Sequence, residues 1–134
     1  MNIGWNTDDV GDESYVAAFE QVLSPLCAEF DPELVIVSAG FDSAEGDPLG
    51  KIHITPSGYA EMTARLMTLA RGRVVVALEG GYNLESISNS MAAVVATLLG
   101  DSVPRTPLRP VPDSCQESIK ATITAHSPHW KAFQ

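Results

Sequence analysis

The first 50 residues of this 134-residue chain contain no lysine or arginine. Eleven acids stand there (Asp8, Asp9, Asp12, Glu13, Glu20, Glu29, Asp31, Glu33, Asp42, Glu45 and Asp47), all eight bases follow residue 50, and the net charge is −9. Without a basic stripe to neutralise phosphates, direct nucleic-acid binding is not expected. An acidic half suits a basic partner such as a lysine-rich peptide, and it equally suits a solvated face; charge alone leaves both open. Cysteine is scarce too. Cys27 and Cys115 lie far apart with no Cys-x-x-Cys or Cys/His spacing, which excludes a disulfide framework and points to reduced thiols in a cytoplasmic or nuclear protein. No apolar run approaches the roughly 18 residues that a membrane span needs, and Met1 to Asn6 lacks a charged region followed by an apolar one, so neither a membrane partner nor a leader is expected. Gly-x-Gly-x-x-Gly, a phosphate-loop lysine and Gly-x-Ser-x-Gly are all missing, which argues against nucleotide-binding and serine-hydrolase readings.

What is present suits one folded domain. Hydrophobic residues make up 45% of the chain and charged residues 19%, and a chain of this size buries roughly two thirds of its unfolded surface. Val16, Phe19, Leu23, Leu26 and Phe30 recur at steps of three and four, the stripe of an amphipathic helix over 13–30 that Pro25 should kink and Asp31-Pro32 should stop. Leu34-Val35-Ile36-Val37 is short, apolar and β-branched, as expected of a strand covered on both faces. Thr55 and Pro56 read as N-cap and first residue of a helix carrying Tyr59, Met62, Leu66 and Leu69 as far as Gly72. A second buried strand, Val74 to Leu78, follows, and Leu84, Ile87, Met91, Val94 and Leu98 mark another helix closed by Gly100. Strand, loop, helix, strand, loop, helix predicts an α/β fold: a parallel sheet flanked by helices, with a right-handed crossover. Pro104, Pro107, Pro110 and Pro112 predict a stiff extended connector. Beyond it, Ser114 and Glu117 form a capping-box pair ahead of Ile119, Ile123 and His126, a short helix that with Trp130 should fold back on the domain.

Ligands in an open parallel sheet bind beyond the carboxyl ends of the strands, where loops on a rigid base converge. Asp42 follows the first strand and Tyr82 the second, so this topology puts a carboxylate and a phenol on one rim, with glycines beside both. Each also has a plainer role. Asp42 suits a loop turn, Tyr82 a rim aromatic, and Glu79 a bond to nearby amides. His53, His126 and His129 permit a three-histidine metal site only in arithmetic, with Pro128 interrupting the last pair.

Taken together, Ser38-Ala39-Gly40-Phe41-Asp42, Gly46-Asp47-Pro48-Leu49-Gly50 and Glu79-Gly80-Gly81-Tyr82-Asn83, at this spacing, resemble the C-terminal part of a zinc-dependent histone deacetylase catalytic domain. The class IIb branch, cytoplasmic deacetylases that act on tubulin among other proteins, fits best. Asn2 to Asn6, Gly11-Asp12, Pro32 to Val35 and the tail from Ser118 to Trp130 extend the resemblance over nearly the whole chain. It implies the C-terminal portion of an arginase-deacetylase fold over residues 1–100, a connector at 101–113 and a C-terminal helix at 114–134. It implies Asp42 as a zinc ligand and Tyr82 as the hydroxyl that hydrogen-bonds the acetyl carbonyl when it becomes an oxyanion. Gly80 and Gly81 would let the tyrosine loop close on the acyl-lysine tunnel. Tyr82, where the weakly active class IIa branch carries His, favours a competent enzyme. Leu49, where polyamine-directed relatives carry Glu, favours acetyl-lysine in proteins. Implied partners are acetylated proteins such as histones or tubulin, and other deacetylase subunits.

One departure from that pattern matters. The family's zinc site also needs an Asp-x-His pair, and its base is a pair of adjacent histidines; neither occurs here. A lone carboxylate should not hold zinc, which usually takes three protein ligands. The expectation is a C-terminal portion of a deacetylase, inactive alone, whose first strand and helices present surfaces built to be covered by further sheet. The alternatives are a non-catalytic module that binds acetylated proteins or a full-length deacetylase, and a small nucleotide-binding domain using the Gly80-Gly81 loop.

Overall fold

A computed structural model describes residues 1–102 and 107–134. The first helical stripe forms α1 (Asp12–Ala18) and α2 (Ser24–Phe30), joined without a break by a π-helical turn (Phe19–Leu23). The expected kink at Pro25 takes this form because proline has no N–H to give the preceding turn, and widening the helix by one residue accommodates the missing bond. Asp31, in the left-handed region at φ 49°, ends it.

β1 (Val35–Ala39) and β2 (Val74–Leu78) pair in parallel with Val35 opposite Val74 and Ala39 opposite Leu78. The crossover helix α3 (Pro56–Met67) starts as expected, with the Thr55 side chain accepting from the Gly58 amide. It ends sooner than Gly72, in a separate 3-10 turn (Ala70–Gly72) where Ala70, Arg71 and Gly72 all have positive φ. α4 (Leu84–Leu98) is capped by Asn83, whose side chain accepts from the Glu85 and Ser86 amides.

The tail corrects one expectation. α5 (Asp113–His126) begins one residue before Ser114, Pro112 occupies the N-cap position, and no side chain caps it. Ser114 is therefore inside the helix, where it cannot take the extended backbone that a capping box requires, and the Ser114–Glu117 pair does not form one. Of the connector, residues 103–106, with Pro104, lie outside the described residues. Beyond them, Arg109 donates to the buried Glu13 carboxylate at 3.1 Å and ties the connector to α1.

Two apolar cores result. Phe41, Ala44, Ile54, Tyr59 and Val94 are buried between α3, α4 and the inner sheet face, with Ala39, Val76, Ile87 and Met91 packed against them. Ala17, Ala18, Val22 and Ile119 form the other, which anchors α5 to the first helices. Each fully buried large side chain contributes roughly 1.5–3 kcal/mol.

The strands are not covered on both faces. Val35, Val37 and Ala39 turn inward, whereas Ile36 on the opposite face is 69% exposed and its neighbour Val75 52%. β-Branched composition reports a strand's preference for burial, but only packed neighbours supply it, and among the described residues no element covers that face. Leu84, expected in the α4 stripe, is also exposed at 83%, because the first residue of α4 lies out on the rim. Among the described residues no helix is long and apolar enough to cross a membrane.

Candidate functional site

The parallel pairing continues past both strands: the Glu79 amide donates to the Ala39 carbonyl at 3.0 Å and the Phe41 amide to the Gly80 carbonyl at 2.8 Å. The two loops are thereby held side by side at the carboxyl edge of the sheet. Asp42 and Tyr82 come together there. A Cβ placed on Gly80 would lie 3.5 Å from the Tyr82 hydroxyl and 3.9 Å from Asp42 Oδ2, so both oxygens converge over the same backbone position.

Asp42 is exposed, yet its loop is anchored on three sides. Phe41 is fully buried, its ring 4.8 Å from that of Tyr59. The Ser43 and Tyr59 hydroxyls share a hydrogen bond of 2.7 Å. Gly50 lies directly behind the Asp42 carbonyl, at a place where a Cβ would come within 1.6 Å of that oxygen, so no side chain fits. Burial pushes the Tyr59 phenol up to about 12, outweighing the hydrogen bond with Ser43, and burial likewise raises Tyr15. Both stay neutral at pH 7 and serve as fixed dipoles beside Asp42.

The Tyr82 loop is held by a second set of bonds. Asp47 Oδ1 accepts from the Leu49 and Gly50 amides at 2.8 and 3.0 Å, and Asp47 Oδ2 accepts from the Tyr82 amide at 2.8 Å. Desolvation works to raise this carboxyl, but the amides of Leu49, Tyr82 and Gly50 outweigh it and hold Asp47 below its usual value. Asn83 Nδ2 donates to the Gly46 carbonyl at 2.8 Å and the Ser86 hydroxyl to the Glu45 carbonyl at 2.7 Å. Gly81 takes φ +135°, and a Cβ there would strike Ile87 and the Phe41 side chain. Asp47 and Asn83 stand in the motifs that the sequence offers, but without this anchoring role, and Ser86 stands in none of them. The available signal was an Asn before an apolar stripe of helical period, which marks an N-cap.

The other sequence-derived residues sit apart from an enclosed tunnel. Tyr82 and Leu49, 60% and 66% exposed, stand on an open rim, with Gly80 and Gly81 half-buried beneath them. An open cleft of about 500 Å³ runs beside β1, lined by Val37, Ala39, Tyr59 and Met62, with Asp42 and Gly50 at its edge. His53 bridges in parallel to Gly11, while His126 and His129 are at the end of α5 and beyond it. Among the described residues no three His, Cys, Asp or Glu side chains cluster to hold a metal, so the three-histidine site does not form.

Comparison with known proteins bears on the family and the fold. The family model described as the histone deacetylase domain matches residues 1–98. The human "Polyamine deacetylase HDAC10" is 51% identical over the whole chain, which covers 20% of that protein. "Histone deacetylase HDA1" of Saccharomyces cerevisiae is 46% identical over 99% of the chain, again 19% of the relative. A solved "Structure of the histone deacetylase Clr3" superposes with a TM-score of 0.97 at 43% identity, covering all of this chain and 23% of that one. The chain thus spans about a fifth of the length of the curated relatives it matches. A helix-flanked parallel sheet, matched from end to end to a deacetylase structure and over most of its length by the family model, establishes that the chain belongs to the histone deacetylase domain family.

Proposed function

We propose that this chain is the C-terminal portion of a class IIb-like lysine deacetylase that hydrolyses N6-acetyl-lysine in proteins to lysine and acetate, and that it is inactive alone. The convergence of Asp42 Oδ2 and the Tyr82 hydroxyl over Gly80 carries this reading. A phenol hydroxyl can donate one hydrogen bond. Aimed at an acetyl carbonyl, the Tyr82 hydroxyl stabilises the negative charge that gathers on oxygen as the carbonyl is attacked. Leu49, exposed on the same rim, puts no carboxylate at that position, where the resemblance has Glu in polyamine-directed relatives, and this favours acetylated proteins such as histones or tubulin. The resemblance implies zinc, with Asp42 as one ligand. The groups present here do not fit the ion by themselves, since Asp42 is the sole donor of that set and among the described residues no cluster of three is found. The free thiols Cys27 and Cys115 suit a cytoplasmic or nuclear setting.

The test has two arms. The 134-residue chain with added zinc should not hydrolyse an acetyl-lysine peptide above a Tyr82→Phe control. Clr3 with its matching segment replaced by this chain should be active and should lose about 10²- to 10³-fold in kcat on Tyr82→Phe. Zinc-dependent turnover by the chain alone, or an unimpaired Tyr82→Phe chimera, would overturn the reading. The exposed Ile36 and Val75 face favours a second reading, a non-catalytic module that pairs with a full-length deacetylase. Stoichiometric binding with no active chimera would support it.

A further inference from the structure

We propose that Asp47 is the positioning residue of Tyr82: its carboxylate uses one oxygen to shape the 47–50 turn and the other to hold the tyrosine's own backbone amide. The inference rests on the reading of Tyr82 as the oxyanion donor, and it assigns to Asp47 a role in that chemistry without contact with substrate.

The geometry divides the carboxylate cleanly. Oδ1 takes the Leu49 and Gly50 amides, a local turn within Asp47's own loop. Oδ2 reaches 35 positions along the chain to the Tyr82 amide. Local turn chemistry accounts for the first set of bonds, but it gives no reason for the second. Tyr82 needs such a hold because it is exposed, follows a glycine at φ +135°, and has little packing to fix it. Gly50 belongs to the same turn and backs the Asp42 carbonyl. Through one side chain, then, the loop that sets Asp42 and the residue that carries the phenol move as a unit. Asn83 and Ser86 fasten the same two segments from the α4 side, onto the Gly46 and Glu45 carbonyls. A catalytic donor that is a few tenths of an ångström out of place loses much of its effect, so a hold on the backbone at the residue itself is where positioning counts most.

Asp47→Asn separates the two roles. Asparagine has one carbonyl oxygen and an amide that donates, so it can keep the turn by accepting from Leu49 and Gly50 only by facing Tyr82 with an N–H. In the 134-residue chain followed by amide NMR, Asp47→Asn should raise hydrogen exchange at Tyr82 by about tenfold and shift its resonance, the expected loss of one charge-assisted bond. Amides of the paired strands, such as Val37 and Val76, should not change. Asp47→Ser, which can keep the turn through its hydroxyl but is too short to reach Tyr82, should behave the same way. In the Clr3 chimera Asp47→Asn should lower kcat about 10- to 100-fold with KM nearly unchanged, and should add less than about twofold to the loss already caused by Tyr82→Phe. An unaltered Tyr82 amide in both variants, or losses that multiply in full, would overturn the assignment. Should Tyr82→Phe leave the chimera fully active, the deacetylase reading falls, while the exchange rates still decide whether Asp47 holds Tyr82.

Discussion

Asp12→Ala should be among the most damaging single substitutions in the chain. Asp12 is buried at the start of α1, and its two oxygens accept from Thr55, Oδ1 from the amide at 2.8 Å and Oδ2 from the hydroxyl at 2.6 Å. Thr55 is in turn the N-cap of α3, so the pair joins the acidic N-terminal segment to the crossover helix between the two strands. Space for the carboxylate exists only because Gly58 has no side chain: a Cβ there would fall 2.1 Å from Asp12 Oδ1. Hydrogen bonds to a charged group are worth about 1.5–3 kcal/mol each. Two of them would give about 3–6 kcal/mol, but Thr55 is only half-buried and water can reach part of it, so the expected loss is about 2–4 kcal/mol. Against a total of roughly 5–15 kcal/mol this is a large fraction. Urea unfolding followed by far-UV circular dichroism measures it, and a cycle with Thr55→Ala isolates the hydroxyl bond, since the backbone amide at position 55 still donates to Asp12 Oδ1. The cap lost in Thr55→Ala is missing from the single and the double variant alike and cancels, whereas the shared hydroxyl bond is lost in both singles, so the double variant should lose less than the singles combined by at least about 1 kcal/mol. A loss below about 1 kcal/mol for Asp12→Ala, or coupling near zero, would refute the idea that this buried carboxylate joins α1 to α3.

Gly50→Ala should destabilise the chain by about 1–3 kcal/mol and shift the Asp42 and Ser43 amide resonances, because the new methyl would meet the Asp42 carbonyl at 1.6 Å. Unchanged spectra would show that the turn can give way without moving Asp42. The raised Tyr59 phenol makes a pH prediction. Its neutral form is favoured in the fold, so its contribution is complete below the unfolded value near 10 and is lost as pH rises toward about 12. Tyr59→Phe should flatten that alkaline fall in the urea midpoint; an identical slope in the variant would place its origin elsewhere.

The alternation of strand, loop and helix was legible in the residues because it depends on local spacing and punctuation. Thr55-Pro56 opened α3, Asp31-Pro32 ended the first helix, and both β-branched runs became paired strands. Where the helices differ in detail from the expectation, a neighbouring proline set the outcome. Pro25 widened a helix instead of bending it sharply, and α5 started a residue early because Pro112 took the cap position. The acidic N-terminal half proved divided in use: Asp12 and Glu13 are buried and bonded, whereas Asp42 stands exposed at the rim.

From the sequence by itself came the α/β class, the rim carrying Asp42 and Tyr82, and the family, since these rest on periodicity, on loops that must follow strands, and on three motifs at fixed spacing. Tertiary structure alone decided that Asp42 and Tyr82 converge over Gly80, that Asp47 reaches across to the Tyr82 amide, and that one face of the sheet lies open. The physical reason is range. Helix and strand preferences act within a few residues, whereas a shared carboxylate, a close backbone approach and the covering of a face depend on segments dozens of positions apart, which only folding brings into contact.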